Sequence, residues 1–398
     1  MIKFAILGYG VVGSGVAEVM AEQREKIASV VGDAVELKSI LVRHGYPGDP
    51  FADKMVTDFS LIENDPEISV VAEVIGGVGA AYEYSKRALL AGKSVVSSNK
   101  ELVATHGAEL NEIARRKNVN YLFEGSVGGG IPLLRPLCQC LAANRVDEVF
   151  GILNGTTNYI LTAMDTEGQD FSEALQKAQE LGYAEADPTA DVEGIDACRK
   201  TAILADLAFG RNMDASAIPT RGITKITSAD LELARALDHT IKLLGHAIRT
   251  EDGCCAFVEP HLIPLSHLLA SVSGVMNACV VRGSAVGEVM FYGPGAGKRP
   301  TASAVAADII DAAQHQAYRK DTDLGAPGGV LAPEAALISR WYVRAEAEPD
   351  EVRAVFPEAV PIYGSSGECG FLTEPLDRPA LEAKLPALDA RAHYRVLH

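Results

Sequence analysis

The sequence predicts an α/β protein. It should hold a Rossmann-type doubly wound parallel sheet, an α+β domain of mixed strand and helix signals, and a small βαββαβ module at the C-terminus. Three observations carry this. An apolar run of strand length, Ile2–Leu7, leads directly into G-Y-G-V-V-G (Gly8, Gly10, Gly13) and then into a helical pattern, the setting in which such glycines cradle a dinucleotide. Strand-like and helix-like stretches then alternate through residues 1–135, as a parallel sheet with helical crossovers requires. Residues 339–398 read strand, helix, strand, strand, helix, strand.

Composition bounds the function. A chain of 398 residues, 48% hydrophobic and 22% charged, is an ordinary globular protein with room for two or three cores. A net charge of −17 argues against nucleic acid or an anionic membrane as partner, because both need a basic footprint. A small-molecule substrate is compatible with it. Seven scattered cysteines form no C-x-x-C pair, which points to a reducing, cytoplasmic setting. Gly8, Gly10, Gly13 and Gly15 break the apolar N-terminus, so it opens the fold instead of serving as a signal peptide. No run reaches the roughly 20 apolar residues of a membrane span.

Taken in order, the glycines after the first strand allow a tight turn and close approach to a pyrophosphate at a helix N-terminus. The second strand, residues 35–42, ends in Arg43-His44, where a base suits the 2′-phosphate of NADP; an acidic residue would suit NAD. Strands at 68–75 and 94–98 flank a helix over 82–91, and Lys100 follows at a carboxyl strand end, where open sheets of this kind bind ligands. A strand over 119–123 runs into E-G-S-V-G-G-G-I-P, whose glycines free the backbone to face a ligand or cation. Residues 146–153 are apolar and end in N-G-T-T-N, with Thr156, Thr157 and Asn158 as candidate helix caps. In G-Y-A-E-A-D-P-T-A-D-V-E-G-I-D-A-C-R-K, residues 182–200, the Asp187-Pro188 step favours a loop, and a helix begins near Gly194. Asp196 and Lys200, four apart, share a face of it. They read either as a solvated ion pair or as an active-site wall with a proton-moving lysine. A second glycine-rich loop, G-P-G-A-G-K-R-P-T, opens onto a helix over 302–313, and residues 321–338 read as a linker.

Together these motifs make the chain resemble the homoserine dehydrogenases, in that family's order over residues 1–318. The resemblance implies reversible NAD(P)-linked oxidation of L-homoserine to L-aspartate 4-semialdehyde, on the way to threonine and methionine. It implies that Gly8, Gly10, Val11, Val12 and Gly13 hold the dinucleotide, that Arg43 meets the 2′-phosphate, and that Gly295 adds a second cofactor contact. NADP is the expected cofactor, with NAD as the alternative. Lys100 matches a position near nicotinamide and substrate. Glu185, Asp191, Asp196, Lys200 and Thr156 match the substrate and catalytic set, and Glu124, Val127, Gly129 and Ile131 match a monovalent cation site for Na+ or K+. Either Lys200 or Lys100 moves the proton that accompanies hydride transfer.

The implied domains are 1–135 plus about 302–320 for the dinucleotide, 136–301 for substrate and dimerisation, and a degenerate ACT-like module at 339–398. The chain is expected to be monofunctional, since its dinucleotide motif starts at Gly8, and to form a homodimer or homotetramer. In the module, E-A-E-P-D-E stands where the family's Pro-Gly turn shapes an amino-acid site. An amino-acid dehydrogenase of the same architecture should lack the N-G-T-T-N and 182–200 motifs. A nucleotide sensor need not keep a proton-transfer set.

Overall fold

The computed structural model describes residues 1–251, 253–320, 322 and 324–398, with backbone only for 326–328. The chain folds as two compact units. The first is Met1–Val146, Ala202–Ala215 and Gly283–Gly329; the second is Asp147–Thr201, Ser216–Arg282 and Val330–His398.

In the first unit, the described residues form a six-stranded sheet in the order Met55–Val56, Val35–Leu41, Ile2–Leu7, Ile68–Glu73, Ser94–Ser97, Tyr121–Leu122. Every pairing is parallel. The order reverses beside Ile2–Leu7, which creates the crevice at the strand ends where such sheets bind nucleotides. Helix Val11–Glu22 buries Val16, Ala17 and Met20, and helix Lys298–Gln314 buries Ala302, Val305, Ile309 and Ala312 in the same cluster as Phe4 and Ile6. The helix that follows the second glycine-rich loop thus returns to the first core, each fully buried aliphatic side chain adding about 1.5–3 kcal/mol.

The segment expected as a linker carries structure. Asp321 and Asp323 lie outside the described residues, but Ala326–Gly329 pairs in parallel with Arg211–Met213. Glu334 is buried among arginines of the second unit. Turn-forming composition marked this stretch as a connection, whereas pairing partners more than a hundred residues away decide its structure.

Among the described residues of the second unit, eight strands share one sheet. Its order is Met276–Gly283, Val146–Ile152, His239–Thr250, Gly253–Pro264, Ala390–Val396, Trp341–Ala345, Cys369–Leu372, Ile362–Tyr363. The last four strands, numbered within the C-terminal module, stand in the order 4-1-3-2. Helices Pro349–Val355 and Arg378–Lys384 complete its βαββαβ pattern. Parallel pairing of His261 with Arg395 and Leu262 with Val396 makes the module's sheet continuous with that of the catalytic segment. The E-A-E-P-D-E stretch starts a helix: Pro349 is its first residue, and the Glu351 carboxylate accepts from the Glu348 N–H at 2.9 Å.

Candidate active site

The first turn uses its glycines in different ways. Gly8 has φ +98, and a Cβ on Gly13 would stand 2.1 Å from the Gly8 carbonyl oxygen, so neither position admits a side chain. A Cβ on Gly10 would meet nothing within 4 Å, so its bareness answers to space outside the protein. Helix Val11–Glu22 begins with no side-chain cap among the described residues and no acid in its first turn. Its leading N–H groups suit an anion. Gly8, Gly10, Arg43, Ile75 and Gly76 line one cavity of about 440 Å³. Val11 is exposed and Val12 half-buried, and neither lines that cavity.

Lys100 opens helix Lys100–Lys117 at the carboxyl end of strand Ser94–Ser97. Asn99 caps that helix by accepting from the Leu102 N–H at 3.1 Å, and its amide donates to the Ile75 and Gly77 carbonyls. Behind it, buried Glu73 accepts from Ser97 Oγ and the Ile75 N–H, each at 2.6 Å. One network therefore joins two strand ends to the helix that presents Lys100.

The two later glycine-rich stretches meet. A Cβ on Gly129 would stand 2.4 Å from the Gly295 carbonyl oxygen, and the Gly130 N–H donates to the Pro294 carbonyl at 3.1 Å. Close packing accounts for these glycines. The Glu124 carboxylate is buried and accepts from the N–H groups of Leu133, Leu134 and Arg135 at 2.6, 2.9 and 2.7 Å.

In the second unit the 182–200 motif closes on N-G-T-T-N. Helix Ile195–Phe209 carries Asp196 and Lys200. Lys200 Nζ donates to Asp196 Oδ2 and to the Leu153 carbonyl, both at 2.7 Å. Both residues are buried, so the solvated surface pair is ruled out and the geometry must offset a desolvation cost. Asn154 Nδ2 donates to Asp191 Oδ1 at 2.7 Å and to Asp196 Oδ2 at 2.9 Å. Thr156 Oγ1 donates to the Tyr183 carbonyl at 2.7 Å, which ties down the loop ahead of exposed Glu185.

One reading changes here. Asn154, not Thr156–Asn158, is the N-cap: its Oδ1 accepts from the Thr157 N–H at 2.8 Å, and the three later residues lie inside helix Gly155–Glu167. Asn154 also bridges two carboxylates, a role that sequence reasoning missed. An asparagine before glycine signals a turn, and nothing local reveals that its amide reaches residues some forty positions on.

Comparison with known proteins accords with this geometry. The family model "Homoserine dehydrogenase, NAD binding domain" matches residues 8–124, and "Homoserine dehydrogenase" matches residues 132–310. The homoserine dehydrogenase of Pseudomonas aeruginosa is 43% identical over 359 residues, covering 87% of this chain and 82% of its own. That of Corynebacterium glutamicum is 41% identical, covering 89% and 88%. The crystal structure of a homoserine dehydrogenase from Thiobacillus denitrificans superposes with a TM-score of 0.90 at 36% identity, covering 100% of this chain and 98% of that one. A hyperthermophilic archaeal homoserine dehydrogenase in complex with NADPH reaches 0.67 at 29% identity, covering 78% and 97%. No helix among the described residues is long and apolar enough to cross a membrane. With identity at this level along nearly its whole length, the chain belongs to the homoserine dehydrogenases, NAD(P)-dependent oxidoreductases that interconvert L-homoserine and L-aspartate 4-semialdehyde in threonine and methionine biosynthesis.

Proposed function

We propose that the chain works with NADP in preference to NAD, and that Lys200 moves the proton of the reaction. The observation that carries the second part is the buried chain Lys200–Asp196–Asn154–Asp191, linked by contacts of 2.7–2.9 Å. When bound, a nicotinamide would supply the hydride acceptor, and in reverse the hydride donor, for C4 of homoserine. As the neutral amine Lys200 takes the hydroxyl proton during oxidation, and as the ammonium it gives a proton to the aldehyde oxygen during reduction, a contribution of about 10²–10⁴ in rate. Asp196 orients the ammonium, and Asn154 holds Asp196 and Asp191 in register. Asp191 and Glu185 suit the ammonium group of homoserine, while Thr156 fixes the loop that carries Glu185.

Gly8, Gly10, Val11, Val12, Gly13 and Gly295 are assigned to the cofactor, and Arg43 to its 2′-phosphate. The uncapped helix start and the cavity shared by Gly10 and Arg43 fit a doubly anionic ligand. Lys100 is assigned to the nicotinamide end. A Na+ or K+ ion held by carbonyls of Glu124, Val127, Gly129 and Ile131 fits a stretch whose Gly128 and Gly129 have φ of +75 and +55 and so turn successive carbonyls apart. Seven cysteines without a disulfide support a cytoplasmic setting, and a homodimer or homotetramer is the expected assembly.

The test follows NADPH absorbance with aspartate 4-semialdehyde in sodium, potassium or tetramethylammonium buffer. Absence of turnover above background would end the reading, and equal rates in all three buffers would end the cation assignment. Lys200→Ala should lose about 10²–10⁴ in kcat with an unchanged Kd for NADPH. Comparable losses in both would make Lys200 a structural lysine.

A further inference from the structure

Tyr9 stands between the first two glycines of the turn, and its phenol donates to Asp49 Oδ1 at 2.9 Å. The same oxygen accepts from the Phe51 N–H at 2.9 Å. The Asp49 N–H donates to the Tyr46 carbonyl at 3.2 Å, and its carbonyl accepts from the Ala52 N–H at 3.0 Å. The ring of Tyr46 packs against Tyr9 with centroids 5.8 Å apart, and against His44 at 5.3 Å. Arg43, His44 and Tyr46 line the same cavity as Gly8, Tyr9 and Gly10. Residues 43–48 are otherwise exposed and include Gly45, Pro47 and Gly48. A loop so composed and solvated has little of its own to hold it. Burial, followed by the Asp49 hydrogen bond, pushes the Tyr9 phenol well above its ordinary range, so it remains a donor throughout working pH.

We propose that Tyr9 is a positioning residue for cofactor choice: its bond to Asp49 and its contact with Tyr46 fix loop 43–49 so that Arg43 is presented to the 2′-phosphate of NADP. This rests on the Arg43 assignment above. Ordering a loop residue costs conformational entropy, and a loop held in its binding form avoids part of that cost when the ligand arrives. NAD has no 2′-phosphate and gains nothing from a pre-placed Arg43. The glycine turn that cradles pyrophosphate and the loop that reads the ribose then act as one unit, joined through Tyr9.

The experiment measures kcat and KM for NADPH and NADH in the full chain, with melting curves as the folding control. Tyr9→Phe and Asp49→Ala should each raise KM for NADPH about three- to tenfold, the range of one lost hydrogen bond. Their kcat and their KM for NADH should stay within about twofold. Asp49→Asn keeps the acceptor oxygen and should remain near wild type. Equal weakening of both cofactors, a fall in kcat at constant KM, or no change would each overturn the proposal. Arg43→Ala should abolish the preference for NADPH. If it does not, the Arg43 assignment fails and this proposal with it; if it does while Tyr9→Phe has no effect, the latch alone fails.

Discussion

Glu73 lies at the end of strand Ile68–Glu73 with no solvent exposure. Burial pushes its carboxyl up to about 7, against the opposing hydrogen bonds from Ser97, Ile75 and Asn99. A raised acid holds its proton in the folded state after the unfolded chain has released it. Its contribution to stability therefore falls as pH climbs from about 4.5 to about 7 and is level above that window. Glu73→Gln keeps the shape and removes the titration. The variant's unfolding free energy relative to wild type should gain on the order of 2–3 kcal/mol across the window, read from denaturant melts at pH 4.5 to 7.5. A pH-independent difference would remove Glu73 as a titrating group. Residues of this kind escape sequence reading: the strand expected at 68–75 contains Glu73, but alternation along a strand does not tell whether an acid in it faces solvent, and only the fold buries it. Asp196 and Lys200 were legible because their four-residue spacing is itself the geometry of contact.

Among the elements, local periodicity and turn chemistry placed five of the six strands of the first sheet, all but the two-residue Met55–Val56, and the βαββαβ order of the module within a few residues. Periodicity was silent on what the module is attached to. Glu259, in strand Gly253–Pro264, and Glu334 meet Arg378 and Arg395 of the module. Arg395 contacts each carboxylate at 2.8 Å, Arg378 contacts Glu334 at 3.0 Å and also pairs with Glu259, and Arg221 adds 3.0 and 3.2 Å contacts. All but Arg221 are buried, and Arg378 and Arg395 also lie over the ring of Trp341 at 4.7 and 4.5 Å. Burial would raise the Glu259 carboxyl, but Arg378, His261 and Arg395 outweigh it and hold it near 2. Removing one partner of a buried pair costs about 3–5 kcal/mol, against a total stability of about 5–15 kcal/mol. A chain stopped after Ala332 should therefore be insoluble or melt far below the full chain. A truncated protein with native melting and activity would make the module dispensable and the network incidental.

For the molecule as a whole, assembly is the property that a single chain leaves to measurement. Sedimentation equilibrium should give a mass of two or four times the 42.1 kDa chain, and a monomer at micromolar concentration would rule out the proposed homodimer or homotetramer. Val330, Ile338 and Val360 of the second unit are 76%, 62% and 72% exposed, which is apolar surface that association could cover.

The order of residues alone specified the dinucleotide turn, the α/β alternation, the Asp196–Lys200 face and the family resemblance, because each depends on residues close together in the chain. Folding was needed to establish that Asn154 bridges Asp191 to Asp196, that Gly129 leaves room for the Gly295 carbonyl, that Tyr9 reaches Asp49, and that the C-terminal module is ion-paired into the catalytic sheet. Those contacts join residues from about forty to more than a hundred and sixty positions apart. No local spacing encodes them, since they follow from how sheets and helices bring distant strand ends and loops together.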